Sequence, residues 1–161
     1  MSIIISNMNK LRIYLDTSVI GGYYDEEFKE ASQALMKCFE RKIYIPIISE
    51  TVQLELSEAP EKVRNVIKDL KDVEVVDVIE EMRVLSKIYV QERIVTEKYA
   101  EDALHIAIAT ISQVNVLVSW NFKHIVNLDK IHRFNAVNLR EGYSLLEIRT
   151  PKEVIINEEE I

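Results

Sequence analysis

The stretch Ala100-Glu101-Asp102-Ala103-Leu104-His105-Ile106-Ala107-Ile108-Ala109, with Val114-Asn115-Val116-Leu117-Val118-Ser119 just after it, decides the fold. The first segment belongs to a helix that Thr96 opens and that runs to about 112. It is almost wholly apolar, which marks an interior helix. The second is a short run, Val114–Ser119, with almost no polar alternation. Such a strand is covered on both faces and sits centrally in a parallel sheet.

Working outward, the same alternation recurs. Residues 11–15 form a first strand that ends at Asp16, and Gly21 and Gly22 loosen the chain just after it. Residues 27–41 carry a helical stripe of Phe28, Ala31, Leu35, Cys38 and Phe39. Residues 42–48 read as a second strand, with Pro46 near its end. Ser49 caps a helix that stops near Pro60, and another helix covers about 61–71. Val73–Val78 is a third strand, and 79–92 a helix with Met82, Leu85, Ile88 and Tyr89 on one face. A helical turn is expected near 122–130 and a fifth strand at Ala136–Asn138. From Thr150 the chain has one more apolar stretch, and Glu158-Glu159-Glu160 reads as a solvated end. Strands separated by helices predict an α/β fold with a mainly parallel, about five-stranded sheet.

The chain has 161 residues, the size of one domain at roughly 100–200 residues each. No repeat or boundary divides it, so 1–161 reads as a single domain, with 146–161 as a C-terminal tail. A net charge of −7 argues against holding nucleic acid through a broadly basic surface. The one cysteine, Cys38, excludes an internal disulfide and lies in an apolar helical pattern, as a buried inert thiol does. No apolar run approaches the ~20 residues of a membrane span, and the start lacks the basic region of a secretory leader. Cytoplasm is the expected location.

Parallel sheets bind ligands beyond the carboxyl ends of their strands. Asp16, Thr17 and Ser18 follow the first strand, and Ser49, Glu50 and then Glu55 follow the second. Ser119, Trp120 and Asn121 follow the fourth, and Asp102 opens the helix before it. Each has a bland reading. Asp16 can cap a turn, Asp102 can favour a helix N-terminus by charge, and Glu55 can be a solvated helix residue. The apolar neighbours of Asp16 and Asp102 weigh against that, because an unpaired carboxylate near a core costs several kcal/mol. Few basic residues lie nearby in sequence. A hard divalent cation, Mg²⁺ or Mn²⁺, is the economical partner for converging carboxylates, and it activates water against a phosphate.

At these positions the sequence resembles PIN-domain nucleases. Ile13-Tyr14-Leu15-Asp16-Thr17-Ser18-Val19-Ile20 is similar to their opening motif. Ile48-Ser49-Glu50-Thr51-Val52-Gln53-Leu54-Glu55-Leu56, the Glu101–Ala109 block and Leu117-Val118-Ser119-Trp120-Asn121-Phe122-Lys123-His124-Ile125 follow in the family's order. The match covers about 11–145. The resemblance implies a three-layer α/β/α sandwich and a Mg²⁺- or Mn²⁺-dependent ribonuclease, most often the VapC-like toxin of a type II toxin–antitoxin pair. It implies that Asp16, Glu55 and Asp102 hold the metal, with Ser18 and Ser119 in support. Asn121 stands where many members have a fourth acid, and its neutral carbonyl is a weaker partner for a hard cation. It also implies a homodimer and an antitoxin whose basic tail fills the acidic cleft.

Lys123 and His124, in a loop after a strand, are candidates for phosphate contact. His105 shares a helix face with Asp102 and reads as a core histidine. From 121 to 140, Lys123, Lys130, Arg133 and Arg140 against Asp129 leave a net charge of +3 where RNA phosphates can lie. A haloacid-dehalogenase-like phosphatase needs a second acid where Ser18 stands, and a receiver-like domain needs an acidic pair near Asp16. The serious rival is a PIN-fold binding or scaffold protein without catalysis, which Asn121 favours.

Overall fold

Ile13, Tyr14 and Leu15 have no exposed surface in the computed structural model, which describes residues 10–156. Successive strand residues point to opposite faces, so both faces of this strand are covered. It is β1 (Arg12–Leu15), followed by a short helix α1 (Thr17–Gly21), a 3₁₀ turn (Gly22–Tyr24) and α2 (Lys29–Glu40). Next come β2 (Ile45–Ser49), α3 (Glu50–Ser57), α4 (Glu61–Lys68), β3 (Glu74–Val76) and α5 (Glu80–Gln91). A 3₁₀ turn (Glu97–Tyr99) leads into α6 (Ala100–Ile111), β4 (Val116–Val118), α7 (Leu128–Arg140), β5 (Glu147–Arg149) and α8 (Pro151–Val154). The Met1–Asn9 start, read as lacking a leader, and the Glu158–Glu160 end, read as solvated, lie outside the described residues.

The sheet order is β3-β2-β1-β4-β5 and every pairing is parallel. The chain builds outward from β1 on one side, then crosses to place β4 on the other. The strand order therefore reverses between β1 and β4, and the crevice at their carboxyl ends is the switch point where such sheets bind ligands. Leu15 pairs with Val118, which sets Asp16 beside Ser119. Val116, Leu117 and Val118 are buried, in keeping with the central position read from their apolar run.

Two expectations are corrected. Ala136–Asn138 is not the fifth strand but part of α7. The Asn127 side chain caps that helix, accepting the Lys130 N–H at 3.2 Å, and Phe134, Val137 and Asn138 recur at helical spacing on its buried face. Three residues were too short a window to fix the period. The true β5 contains one apolar residue, Ile148, between Glu147 and Arg149, so its sequence looks like a polar tail. Gly21 and Gly22 do not loosen the chain either. They end α1 and open the next turn, and Gly22 has ordinary helical backbone angles. A Cβ on Gly22 would lie 2.7 Å from Ser32 Oγ and 2.9 Å from Trp120 Nε1, so glycine is needed for close approach.

Cys38 is buried, as expected. Among the described residues, no helix is long and apolar enough to cross a membrane.

Candidate active site

Asp16 ends β1 and caps α1. Its Oδ1 accepts the Ser18 hydroxyl at 2.6 Å and the Val19 N–H at 3.3 Å, and its Oδ2 accepts the Ser119 hydroxyl at 2.5 Å. Each serine oxygen accepts a backbone N–H in return: Ser18 from Trp120 and Ser119 from Asn121, both at 2.9 Å. A hydroxyl has one proton to give, and both give theirs to Asp16. The segment after β4 is thereby stapled onto the start of α1. The carboxyl is 4% exposed. Burial pushes its pKa up, and the lowering influences of His105, Ser119, Ser18 and the Val19 N–H do not cancel that. Three hydrogen bonds leave the charge short of compensation.

Glu55 and Asp102 approach from other elements. Glu55, on α3, accepts a hydrogen bond from His105 Nε2–H at 2.7 Å. Asp102 and His105 lie one turn apart on α6. The other ring nitrogen, Nδ1, is 2.8 Å from the Tyr14 hydroxyl, which is also 2.8 Å from Ser49 Oγ. Ser49 in turn caps α3, the helix that carries Glu55. His105 is 3% exposed. Burial alone pushes its pKa down, but the Glu55 hydrogen bond and the charges of Asp16, Glu55 and Asp102 outweigh this and raise it. With the ring neutral, Tyr14 donates to Nδ1; with the ring charged, Nδ1–H donates to Tyr14 and Tyr14 donates to Ser49. Both states are satisfied.

His105 is thus the core histidine that its sequence context predicts, and also the basic group around which the acids gather. Burial raises the pKa of Asp102, while His124, His105 and the Asn121 amide pull it down and Glu55 pushes it up. The Asn121 carbonyl accepts the His124 N–H at 2.9 Å and caps a tight turn. The side-chain oxygen that sequence reading offered to a cation already accepts one hydrogen bond, and the amide N–H₂ is the end turned to Asp102.

His124 is buried against Tyr99, ring centroids 3.9 Å apart, and neither ring nitrogen has a hydrogen-bond partner. Burial pushes its pKa down. Lys123 lies over the same tyrosine, 5.7 Å from the ring centre. The remaining basic residues of 121–140 serve the fold. Lys130 donates to the Ile94 carbonyl at 2.5 Å, Arg133 to the carbonyls of Glu92 and Arg93, and Arg140 pairs with Glu92 at 2.9 Å. They pin α7 to the end of α5.

The donor chemistry suits a hard divalent cation. The available atoms are carboxylate oxygens, and buried Asp16 is under-compensated. The described residues do not form a finished cage: no three acid, histidine or cysteine side chains among them converge on one point, and Glu55 is turned to His105.

Sequence reading missed Tyr14 and Ser49 as members of this network. The signal was a phenol inside an otherwise apolar strand, because a buried hydroxyl needs a partner. Tyr99 carried no signal.

No family model and no curated protein matches this chain. Among solved structures, its fold is similar to one in a toxin–antitoxin complex from Klebsiella pneumoniae. The TM-score is 0.55 at 15% identity, over 73% of this chain and 93% of that one. It is also similar to Mycobacterium tuberculosis VapC20, a sarcin–ricin loop cleaving toxin. There the TM-score is 0.53 at 12% identity, over 70% of this chain and 92% of the toxin. At such identities the likeness is one of fold.

Proposed function

We propose that this chain is a metal-dependent endoribonuclease of the PIN-domain class, acting as the toxin of a type II toxin–antitoxin pair. The observation that carries the reading is Asp16 held by Ser18 and Ser119 at the switch point of the sheet, with Glu55 hydrogen-bonded to His105, one turn from Asp102 on α6. The shared fold with a toxin that cuts RNA supports it.

In this reading Asp16, Asp102 and Glu55 hold Mg²⁺ or Mn²⁺, which when bound supplies an activated water and charge neutralisation at a phosphate. The chain's own residues do the positioning. Ser18 and Ser119 fix both oxygens of Asp16. Asn121 faces Asp102 with its amide, and His105 sets the direction of Glu55. Lys123, which lies over Tyr99, and His124, packed against the same ring, are the proposed phosphate contacts. The acid cluster also invites an arginine or lysine from the basic tail of an antitoxin, with the toxin as a homodimer acting in the cytoplasm. A short reading frame beside this gene and toxicity on expression alone are the expected genetic signs.

A second reading, a PIN-fold binding or scaffold protein without catalysis, is favoured by one observation: Glu55 is held by His105 and no three ligands converge among the described residues. Incubation of generic RNA with Mg²⁺ or Mn²⁺ decides between them, with Asp16→Asn as control. Absence of cleavage, together with no metal-induced rise in melting temperature, would sink the nuclease reading.

A further inference from the structure

We infer that Phe122, on the turn after β4, is a stacking platform for an unpaired nucleobase of the strand lying across the carboxylate site. The inference rests on the nuclease reading for the identity of that strand as RNA. Phe122 is 51% exposed, although it immediately follows the segment stapled to Asp16. Its backbone is fixed: its N–H donates to the Trp120 carbonyl at 3.0 Å, and the Asn121 carbonyl accepts from Ile125 and Val126 at 3.1 and 2.8 Å.

The ring is supported from one side. Trp120 stacks on Phe28 at 4.4 Å and 19°, and its indole N–H is anchored on Ser32 Oγ at 2.9 Å. Phe122 meets Phe28 and Trp120 at 6.3 and 6.2 Å with tilts of 44° and 53°, so neither neighbour lies flat on it. A rigid aromatic held half in water beside a polar site is preorganised for a flat apolar ligand at little ordering cost. Two cations stand on the same side of the site. Lys123 follows Phe122, and Lys123 and Lys98 both lie over the Tyr99 ring, at 5.7 and 5.5 Å from its centre. Neither forms an ion pair among the described residues. One exposed aromatic ring followed by a lysine, with a second lysine on the neighbouring Tyr99 and an acid cluster that repels phosphate close by in the chain's fold, matches a single strand that needs anchoring on both base and backbone.

The test is binding of a labelled, unstructured oligoribonucleotide, followed by fluorescence anisotropy in EDTA so that no cleavage intervenes. A sugar–phosphate chain of equal length without bases is the comparison. Phe122→Ala and Phe122→Leu should each weaken binding to the base-bearing strand roughly tenfold, the scale of one lost base stack. Phe122→Trp should restore it, and no variant should alter binding to the abasic chain. Equal affinity for all variants, or a Phe122→Leu protein that binds like the parent, overturns the platform and assigns the exposed ring to a protein contact or a plain apolar one. Absence of RNA binding by the parent protein overturns it too. Cleavage of the same RNA with Mn²⁺ separates the two ideas. Cleavage without Phe122-dependent binding leaves the nuclease reading standing and removes the platform. Phe122-dependent binding without cleavage does the reverse.

Discussion

On the β1 side of the cleft, both oxygens of Asp16 and both supporting serines are engaged in hydrogen bonds that cross the sheet. On the α6 side, both ring nitrogens of His124 are buried without partners, Asp102 is half-buried and Phe122 stands in water. The first region is complete as a protein structure. The second leaves two ring nitrogens unpaired and one aromatic ring half exposed. The difference separates two environments: on one side a carboxylate is held to fixed geometry, and on the other the side chains around Asp102 are only partly engaged.

The largest way to break this division is to remove the charge and keep the shape. Asp16→Asn retains an oxygen for Ser18 and Val19, so the melting temperature should hold, while metal-dependent RNA cleavage should fall on the order of 10³-fold. Equal losses of stability and activity would mean that Asp16 is only a cap.

Next is Ser119→Ala, which leaves Asp16 Oδ2 and the Asn121 N–H without partners in a buried setting. A cost of about 1–3 kcal/mol is expected in urea unfolding. The equivalent change on the other wall should behave in the opposite sense. His124→Phe removes two unpaired buried nitrogens and keeps the stack on Tyr99, so unfolding should be unchanged or up to about 1 kcal/mol harder. Destabilisation there would show that a buried water or another group already satisfies the ring.

The smallest effect is the one that spans both walls. His105, Asp16 and Asp102 all have raised pKa values, so these three groups bind protons more tightly in the folded metal-free chain, an effect that the lowered pKa of His124 opposes in part. Stability then falls as pH rises. The contribution of His105 is fully present below its ordinary value of 6.5 and is lost as the pH climbs through the higher folded value. Melting in EDTA should therefore be higher near pH 6 than near pH 8, and His105→Gln should flatten that slope. A slope that survives the substitution would move the effect to the carboxyls.

The sequence made one wall more legible than the other. Asp16 is announced by an apolar strand that stops at an acid, and the apolar Val116–Val118 run predicts the central β4 that delivers Ser119. Position along a strand determines position in space there. The α6 side depends on turns, and turns depend on which side-chain oxygen takes which N–H. Asn121 reads as a substituted ligand, but it is a cap first. His105 reads as core, which it is, but its bond to Glu55 joins residues 50 positions apart and has no periodic signature. The basic run after β4 reads as a phosphate surface because sequence does not reveal that the end of α5 lies against Lys130, Arg133 and Arg140.

The bond between Asp16 and Ser119 joins residues 103 positions apart. β1 is the middle strand, yet its second neighbour, β4, is made only after six of the eight described helices. Long-range parallel pairing is slow and cannot precede its partner. During synthesis, a nascent chain that has not yet released β4 from the ribosome holds Asp16 on an open edge, without Ser119 or Asn121. The Asp16 carboxylate therefore takes its final hydrogen bond only after β4 has emerged and paired with β1.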